Sequence, residues 1–550
     1  MNRKARFDLW TLVTLGLVGL YGIFLVYPMV NLMAQALIDK ETGQFTLGYF
    51  IKFFSTPYYF NTLLNSFKVT TAVTALTIIV GTPLAYIFAR YKIRGKGFLI
   101  MLIILSSMSA PFIGAYSWIL LMGRSGVITL FFKNVLGMAV PNIYGFYGIL
   151  LVLTLQLYPL IFLLVSGALK NVDNSLLEAS ENLGCSGTRR FFIIIIPLIT
   201  PTLLAGGLLV FMRALAEFGT PMLIGEGYRT FPVTIFNEFI SEIGGDDGFA
   251  AAISIVAIVI TTFVFLMQRY FASRRTFTMD MLNKIRPEEA KGIKRILVHV
   301  YPYTLIGISI MPQIYIFYTS FKNVQGLTFA PGYSLQSYYA AFDKVGSAIT
   351  NTIKIPAVSL VVIVFLAVLL AYISVRRSGF VSGVLDSLSM IPFIIPGSVV
   401  GISLLIAFNK PPLLLAGTMI IMVVGLVIRR LPYTIRSSAA VLQQISINIE
   451  EAALSLGSSK LNTFYKITVP MMSAGIISGA ILSWITMISE LSTAILLYTA
   501  RTQTLTVAIY TQIIRGNYGV AAALSTILAV LTIISLLIFN RVSKEGDLAM

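Results

Sequence analysis

The chain of 550 residues contains a single cysteine, Cys185, and a single histidine, His299. An internal disulfide is therefore impossible, and no Cys/His cluster can hold zinc. His299 lies at the edge of an apolar run, which leaves no partner set for a Ser-His-Asp triad. Charge is scarce: 11% of residues are Asp, Glu, Lys or Arg, against about 25% in soluble domains. No G-x-x-x-x-G-K-[ST] phosphate loop occurs; Lys96 follows Gly95, but Gly97 stands where the hydroxyl is needed. The chain is expected to be neither an enzyme nor its own ATPase, with no catalytic residue, no metal site and no bound cofactor.

What the chain has in excess is apolar sequence. Hydrophobic residues make up 57% and the mean hydropathy is +0.87, which marks an integral membrane protein. The first apolar run covers Leu9 to Leu37. Ala34-Gln35-Ala36 has the look of a signal-peptidase site, but the run exceeds the roughly 7–15 residues of a signal core. It is read as a retained first span. Further spans fall at Ser66–Ala89, Phe98–Met122, Tyr144–Leu169, Thr200–Ile224 and Phe249–Gln268. After a basic linker come Leu297–Tyr318, Ile355–Val375, Leu385–Phe408, Leu413–Val427, Met471–Leu497 and Val520–Phe539. Each approaches the roughly 20 apolar residues that cross a bilayer; the short Leu413–Val427 run is expected to continue through Arg429, Arg430 and Pro432. The expected organisation is all-α, with twelve transmembrane helices: a six-helix half over residues 1–268, a cytoplasmic linker over 269–295, and a second six-helix half over 296–550.

The net charge of +18 is a topology signal rather than a nucleic-acid site. Most Lys and Arg gather at the N-terminus, in Arg90–Lys96, around Lys170 and Arg190, in the linker, at Arg376-Arg377, around Arg429 to Lys466, and at the C-terminus. With twelve spans all these segments share one face, so both termini are expected to be cytoplasmic. The same charges offer contact to anionic lipid. The stretch 226–247 on the other face holds Glu226, Glu238, Glu242, Asp246 and Asp247 against Arg229.

One pattern occurs twice, as SLLEASENLGCSGTRRFFIIIIP from Ser175 and NIEEAALSLGSSKLNTFYKITVP from Asn448. Glu178, Ala179, Gly184, Phe191, Ile194 and Pro197 match Glu451, Ala452, Gly457, Phe464, Ile467 and Pro470 at one constant offset. Ser175 with Glu178, and Asn448 with Glu451, have capping-box spacing. Leu176, Ala179, Ser180 and Leu183 form a small-to-apolar stripe at helical spacing, as do Ile449, Ala452, Ala453 and Leu456. Gly184 and Gly457 stand where a left-handed residue ends a helix, and Pro197 and Pro470 where a new helix begins. Each copy reads as a polar knob at the foot of a span. Cys185 is a small turn residue within the first. Other repeats keep the same order: Leu84-Ala85-Tyr86-Ile87 with Leu370-Ala371-Tyr372-Ile373, Pro111-Phe112-Ile113 with Pro392-Phe393-Ile394, Glu217 and Thr220 with Glu490 and Thr493, and Gly248 with Gly519. The halves are thus parallel and pseudo-symmetric.

The knob resembles the "EAA" motif of permeases of ATP-binding-cassette importers. Glu178-Ala179-Ser180 and Glu451-Ala452-Ala453 carry the resemblance, with Ile196 and Val469 in place of the family's Leu. The resemblance implies a type I importer permease fold and a prokaryotic inner-membrane location. It implies that Glu178, Ala179, Gly184, Pro197, Glu451, Ala452, Gly457 and Pro470 couple to a cytoplasmic ATPase. Two copies of that subunit, which hydrolyse ATP with Mg, and an extracytoplasmic substrate-binding protein follow from the same likeness. EFGTPMLIG from Glu217 and ELSTAILL from Glu490 are similar to the fused ferric-iron permease group. Thiamine, polyamine, phosphonate and sugar-phosphate permeases carry related motifs and stay open as alternatives.

Few charges fall within spans. Arg213, Glu217 and Glu490 are candidates for the translocation pathway, the two carboxylates facing each other across the pseudo-two-fold, because a charge at bilayer depth is costly unless paired or wet. The alternatives are an i, i+4 ion pair between Arg213 and Glu217, and a Glu490 that ends a broken helix. Gly219, Pro221, Gly225 and Gly227 predict an interrupted span after Glu217. The aromatic segment Tyr49–Phe60 reads as an interfacial anchor or as an outer docking surface. An ion-coupled secondary transporter also suits two sets of six spans, and an insertase-type protein is a third class; the paired knobs argue against both.

Overall fold

The computed structural model describes residues 8–40, 42–108, 110–138, 142–185, 187–240, 246–274, 287–326, 328–377 and 379–542. Arg3, Lys4 and Arg6 at the N-terminus, the middle of the linker and Glu242 lie outside these. Helix dominates because lipid offers no water to an open backbone, so each span bonds to itself. Among the described residues nine helices are long and apolar enough to span a membrane, or eleven if two bent pairs each count as one. Twelve were expected, and the difference is the helix Met419–Gln444. Its 26 residues are ample in length, but Arg429, Arg430 and Arg436 interrupt its apolar character. It also starts later than expected, leaving Leu413–Leu415 outside the helix.

Several helices outrun their apolar cores. Pro57–Arg90 has 34 residues and Gln336–Arg376 has 41, the latter kinked at Val345. Hydropathy marks only the lipid-facing part, whereas the extra turns carry polar residues such as Asn65 and Asn351. The third span is broken in both halves, into Lys96–Met108 and Pro111–Met122, and into Phe380–Ile394 and Gly397–Phe408. The second pair bends by 111°. The cause is the same in each: Ala110 precedes Pro111 and Ile395 precedes Pro396, and both take extended ψ values, 132° and 135°, as a residue before proline prefers.

The chain packs as two compact units that cut across the sequence halves. One contains the described residues up to Lys52, Ile235–Ile258 and those from Ser320 onward; the other contains Phe53–Thr234 and Val259–Thr319. The first helix of each half therefore packs with spans of the other half. In the first unit Trp10 packs tilted against Tyr372 and edge-on against Phe464, with ring centroids 4.5 and 4.8 Å away. In the second, Tyr301 and Tyr303 donate to the carbonyls of Val80 and Arg94, both at 2.7 Å. Leu84, Phe88, Tyr158, Ile161, Phe162 and Ile306 belong to the core of this unit.

A small β element follows each first span. Ile38 bridges to Phe45, and Lys322–Gln325 pairs antiparallel with Thr328–Tyr333. Gly248 and Gly519 open the sixth span of each half beneath these elements. A side chain at Gly248 would overlap Tyr49, and one at Gly519 would overlap Val324 and Ser337. Tyr49 itself lies on the short helix Gly48–Ser55, where Phe53 is buried while Ile51 and Phe54 are exposed. The aromatic segment is thus amphipathic.

Candidate coupling loops and broken spans

Both knobs fold as short helices, Asn174–Asn182 and Ile447–Ser455. Their caps lie two residues ahead of the expected ones. Asp173 accepts from the Ser175 N–H, and Ser446 from the Asn448 N–H. Short polar side chains make such i to i+2 bonds readily. Glu178 instead accepts from Asn174 Nδ2 at 2.6 Å.

The exits are as expected. Gly184 and Gly457 have φ of +78° and +88°. Gly184 N–H donates to Glu181 O and Cys185 N–H to Ser180 O; Gly457 N–H donates to Leu454 O and Ser458 N–H to Ala453 O. This is the Schellman pairing in both copies. Of the expected stripe, Ser180 and Ala453 turn inward. Glu178, Ala179, Glu451 and Ala452 are exposed, and Leu183 and Leu456 stand out at 87% and 90% exposure.

The prolines do not restart a helix. Helix resumes earlier, at Gly187 and Lys460, and passes through one π-turn, Phe191–Ile195 in the first copy and Phe464–Thr468 in the second. Pro197 and Pro470 follow directly, at the start of Ile196–Leu215 and of Val469–Met471. A π-turn shifts the hydrogen-bond register by one, which absorbs the N–H that proline lacks.

The fifth span of each half breaks at its glutamate. In the first half helix runs to Leu215 and resumes at Gly219–Ile224. Glu217 Oε1 caps the new segment, accepting from Gly219 N–H at 3.1 Å and Thr220 N–H at 3.3 Å. In the second half helix ends at Ile488, and Glu490 Oε1 accepts from Thr493 N–H at 3.0 Å ahead of Ala494–Leu497. Thr220 Oγ1 then reaches Pro111 O, and Thr493 Oγ1 reaches Gly397 O. These bonds pair Pro111 with Gly397. The sequence likeness of Pro111 to Pro392 is out of register, since Pro392 lies inside the preceding helix.

The two carboxylates differ beyond the cap. Glu490 is 3% exposed and ion-paired to Arg429, at 2.6 Å, and to Arg430. Sequence reasoning counted these arginines as cytoplasmic topology charge; they are buried partners instead. Their counterparts at the repeat offset are Gln156 and Leu157. A pair of arginines in an otherwise apolar helix, with an acid on the next span, was the available signal. Glu217 is half-buried. Arg213 is exposed.

A second device was missed because its partners are backbone groups. Asn65 Nδ2 donates to Arg229 O at 3.2 Å, and Ser66 Oγ accepts from Phe231 N–H at 2.7 Å. Asn351 Nδ2 donates to Arg501 O and Gln503 O, and Thr352 Oγ1 accepts from Leu505 N–H at 2.7 Å. In each half the second span thereby pins the loop that follows the broken fifth span.

Comparison with known proteins agrees with this layout. The family model described as "Binding-protein-dependent transport system inner membrane component" matches residues 44–277 and again 363–545. The ferric transport system permease protein FbpB of Actinobacillus pleuropneumoniae is 28% identical over 540 residues, covering 96% of this chain and 77% of the relative. The Fe(3+)-transport system permease protein FbpB 2 of Haemophilus influenzae is 25% identical over 529 residues, covering 96% and 97%. The spermidine/putrescine transport system permease protein PotB of the same organism is 25% identical over 256 residues, which is 45% of this chain and 88% of PotB. With two family domains, each containing one exposed knob and one broken span, the chain belongs to the inner-membrane components of binding-protein-dependent transport systems, the permeases of ATP-binding-cassette importers.

Proposed function

We propose that the chain is the transmembrane permease subunit of a ferric-iron importer. Two copies of a separate ATP-binding subunit dock on the knobs that hold Glu178 and Glu451, and an extracytoplasmic binding protein delivers the cargo. ATP and Mg belong to the docked subunit. Both termini and both knobs face the cytoplasm, where the basic segments gather. The observation that carries this reading is the paired exposed face: Leu183 and Leu456 project beside exposed Glu178-Ala179 and Glu451-Ala452. Closure of the ATPases on nucleotide draws the knobs together, and the helices at their roots turn that movement into alternating access.

In this reading the broken fifth spans border the pathway. Capped helix ends leave irregular backbone at membrane depth, tolerated only beside protein or a water-filled cavity. Glu217 and Arg213 offer polar groups to the cargo, and Glu490 holds the matching break in shape. The full-length likeness to ferric permeases supports iron; the half-length likeness to PotB makes a polyamine the alternative. The test is uptake into proteoliposomes containing the chain and its ATPase, with the binding protein supplied outside. ATP-dependent uptake of radioactive ferric iron, unaffected by ionophores, is expected. Uptake that needs an ion gradient and no ATP would refute the mechanism, and competition by spermidine but not by iron would refute the cargo.

A further inference from the structure

The two knobs are alike in backbone and unlike at their roots. In the second, Glu450 immediately precedes the EAA glutamate and is buried. Arg376 Nε donates to Glu450 Oε1 at 2.8 Å, with the side chains 10% and 9% exposed. Tyr372 Oη donates to Glu450 Oε2 at 3.2 Å, and Arg376 Nη2 donates to Ile445 O at 2.8 Å. Both carboxylate oxygens are therefore held by the long helix Gln336–Arg376. The exit of the knob is held as well. Lys460 Nζ pairs with Asp8 Oδ2 at 2.8 Å, Arg377 pairs with the same oxygen at 2.6 Å, and Phe464 packs edge-on against Tyr372.

At the matching places the first half has Tyr86, Arg90, Leu177 and Phe191. The ring contact is kept, with Tyr86 and Phe191 centroids 4.9 Å apart. The ionic lock is not, because Leu177 has no carboxylate. Arg90 pairs instead with Glu288 at the end of the central linker, at 2.8 Å, and backbone bonds between Arg90 and Glu288 and between Glu288 and Lys92 reinforce that contact. The first knob is braced by Arg190, which reaches Glu181 at 3.0 Å and Leu177 O and also interacts with Tyr86 of the Pro57–Arg90 helix; no carboxylate of the knob is held by that helix among the described contacts.

We propose that Glu450 and Arg376 are positioning residues for ATP-driven transport, which bolt the second knob to the Gln336–Arg376 helix and make it the knob that transmits force to the spans. A doubly hydrogen-bonded, nearly dry ion pair keeps its geometry under load in a way that an apolar contact such as Leu177 does not. The inference rests on the coupling-loop reading above.

The experiment uses the chain assembled with its ATPase in proteoliposomes, with ferric-loaded binding protein outside, and reads ATP hydrolysed per ferric ion imported. Glu450→Gln and Arg376→Ala are expected to retain the ATPase on purification and to raise that ratio about five-fold or more, the lower end of ordinary coupling energies. Arg90→Ala and Glu288→Gln should leave the ratio within about two-fold. An unchanged ratio in Glu450→Gln, or equal uncoupling by Arg90→Ala, overturns the proposal. If Arg376→Ala does not insert, Arg376→Lys is read in its place; it keeps the charge but loses the Ile445 bond, and an unchanged ratio there counts against the proposal equally. Glu178→Ala/Glu451→Ala separates the two levels: if that double variant retains its ATPase and transports normally, the coupling-loop reading itself falls.

Discussion

Glu490→Gln should cost far more stability than the loss of one surface acid. Glu490 is held by Arg429 at 2.6 Å and by Arg430, and all three side chains are mostly buried, at 3%, 13% and 14% exposure. The amide can still accept from Thr493 N–H, so the cap survives. What disappears is a negative charge facing two guanidinium groups. Removing one partner of a buried ion pair costs about 3–5 kcal/mol, because the other charge is left unopposed. That range corresponds to roughly two to three and a half decades in the folded-to-unfolded ratio. The assay is denaturant titration of the purified chain in micelles, followed by tryptophan fluorescence. The control is the triple variant Arg429→Gln/Arg430→Leu/Glu490→Gln, which installs the residues found at the equivalent helix positions of the first half, Gln156 and Leu157. Replacing a buried charge cluster as a whole is often close to neutral, so the triple variant should recover most of the loss. If Glu490→Gln alone leaves the midpoint unchanged, the arginines are solvated and the reasoning from burial is wrong.

Leu183→Asp and Leu456→Asp should change stability by less than about 0.5 kcal/mol, since both side chains are exposed. They should nonetheless release the ATPase on co-purification. Gly457→Ala places a Cβ in open space but at φ +88°, so the cost is conformational, about 1–2 kcal/mol, and Gly457→Asn should cost less by the same titration. The Asp8 carboxyl is held below the usual aspartate value of 3.8, first by its hydrogen bond from Lys460 and, more weakly, by the nearby charge of Arg377, while burial opposes them. A lowered carboxyl pKa contributes stability above its unfolded value and loses it as pH falls through the folded value. The Asp8 contacts should therefore be unchanged from neutral pH down to about 4 and weaken only below 3.8, read as the carbon chemical shift of labelled Asp8. Asp8→Asn should weaken them at every pH.

The helical repeat and the knobs were legible because they depend on short-range chemistry. Gly184 and Gly457 sit where only a left-handed residue closes the helix, and the sequence states that need locally. The caps were misplaced because Asp173 and Ser175, or Ser446 and Asn448, are equally competent acceptors, and only the path of the chain decides between them. Pro197 and Pro470 were read as helix starts because a π-turn has no signature in residue order. The partners of Glu490 were hidden for another reason. Arg429 and Arg430 look like loop charge to any rule that counts Lys and Arg, and burial beside an acid on another span is a tertiary fact. Pro111 and Pro392 show the opposite error, in which identical tripeptides occupy different helical positions.

The features that recur in both halves are backbone devices: the Schellman exit, the π-turn before proline, the extended residue before the third-span break, and the Asn65 and Asn351 bonds to carbonyls. Several charged contacts do not recur, although the capping carboxylates Glu217 and Glu490 do. Arg429 and Arg430 stand where the first half has Gln156 and Leu157, Glu450 where it has Leu177, and Arg376 reaches a knob where Arg90 reaches the linker. A symmetric dimer of identical halves could not divide its parts this way, because every residue would appear on both sides. Fusing the halves removes that constraint while both halves keep the same backbone devices. Electrostatics is then free to specialise one half without disturbing the geometry that both must share for alternating access. On this argument, grafting Glu450 chemistry onto the first knob as Leu177→Glu should install a second lock, because Arg90 reaches Glu288 through Nη2 while its Nε, the atom by which Arg376 holds Glu450, is buried without a hydrogen-bond partner; the denaturant midpoint should hold or rise, and a loss of several kcal/mol, on the order of other unpaired buried charges, would refute it.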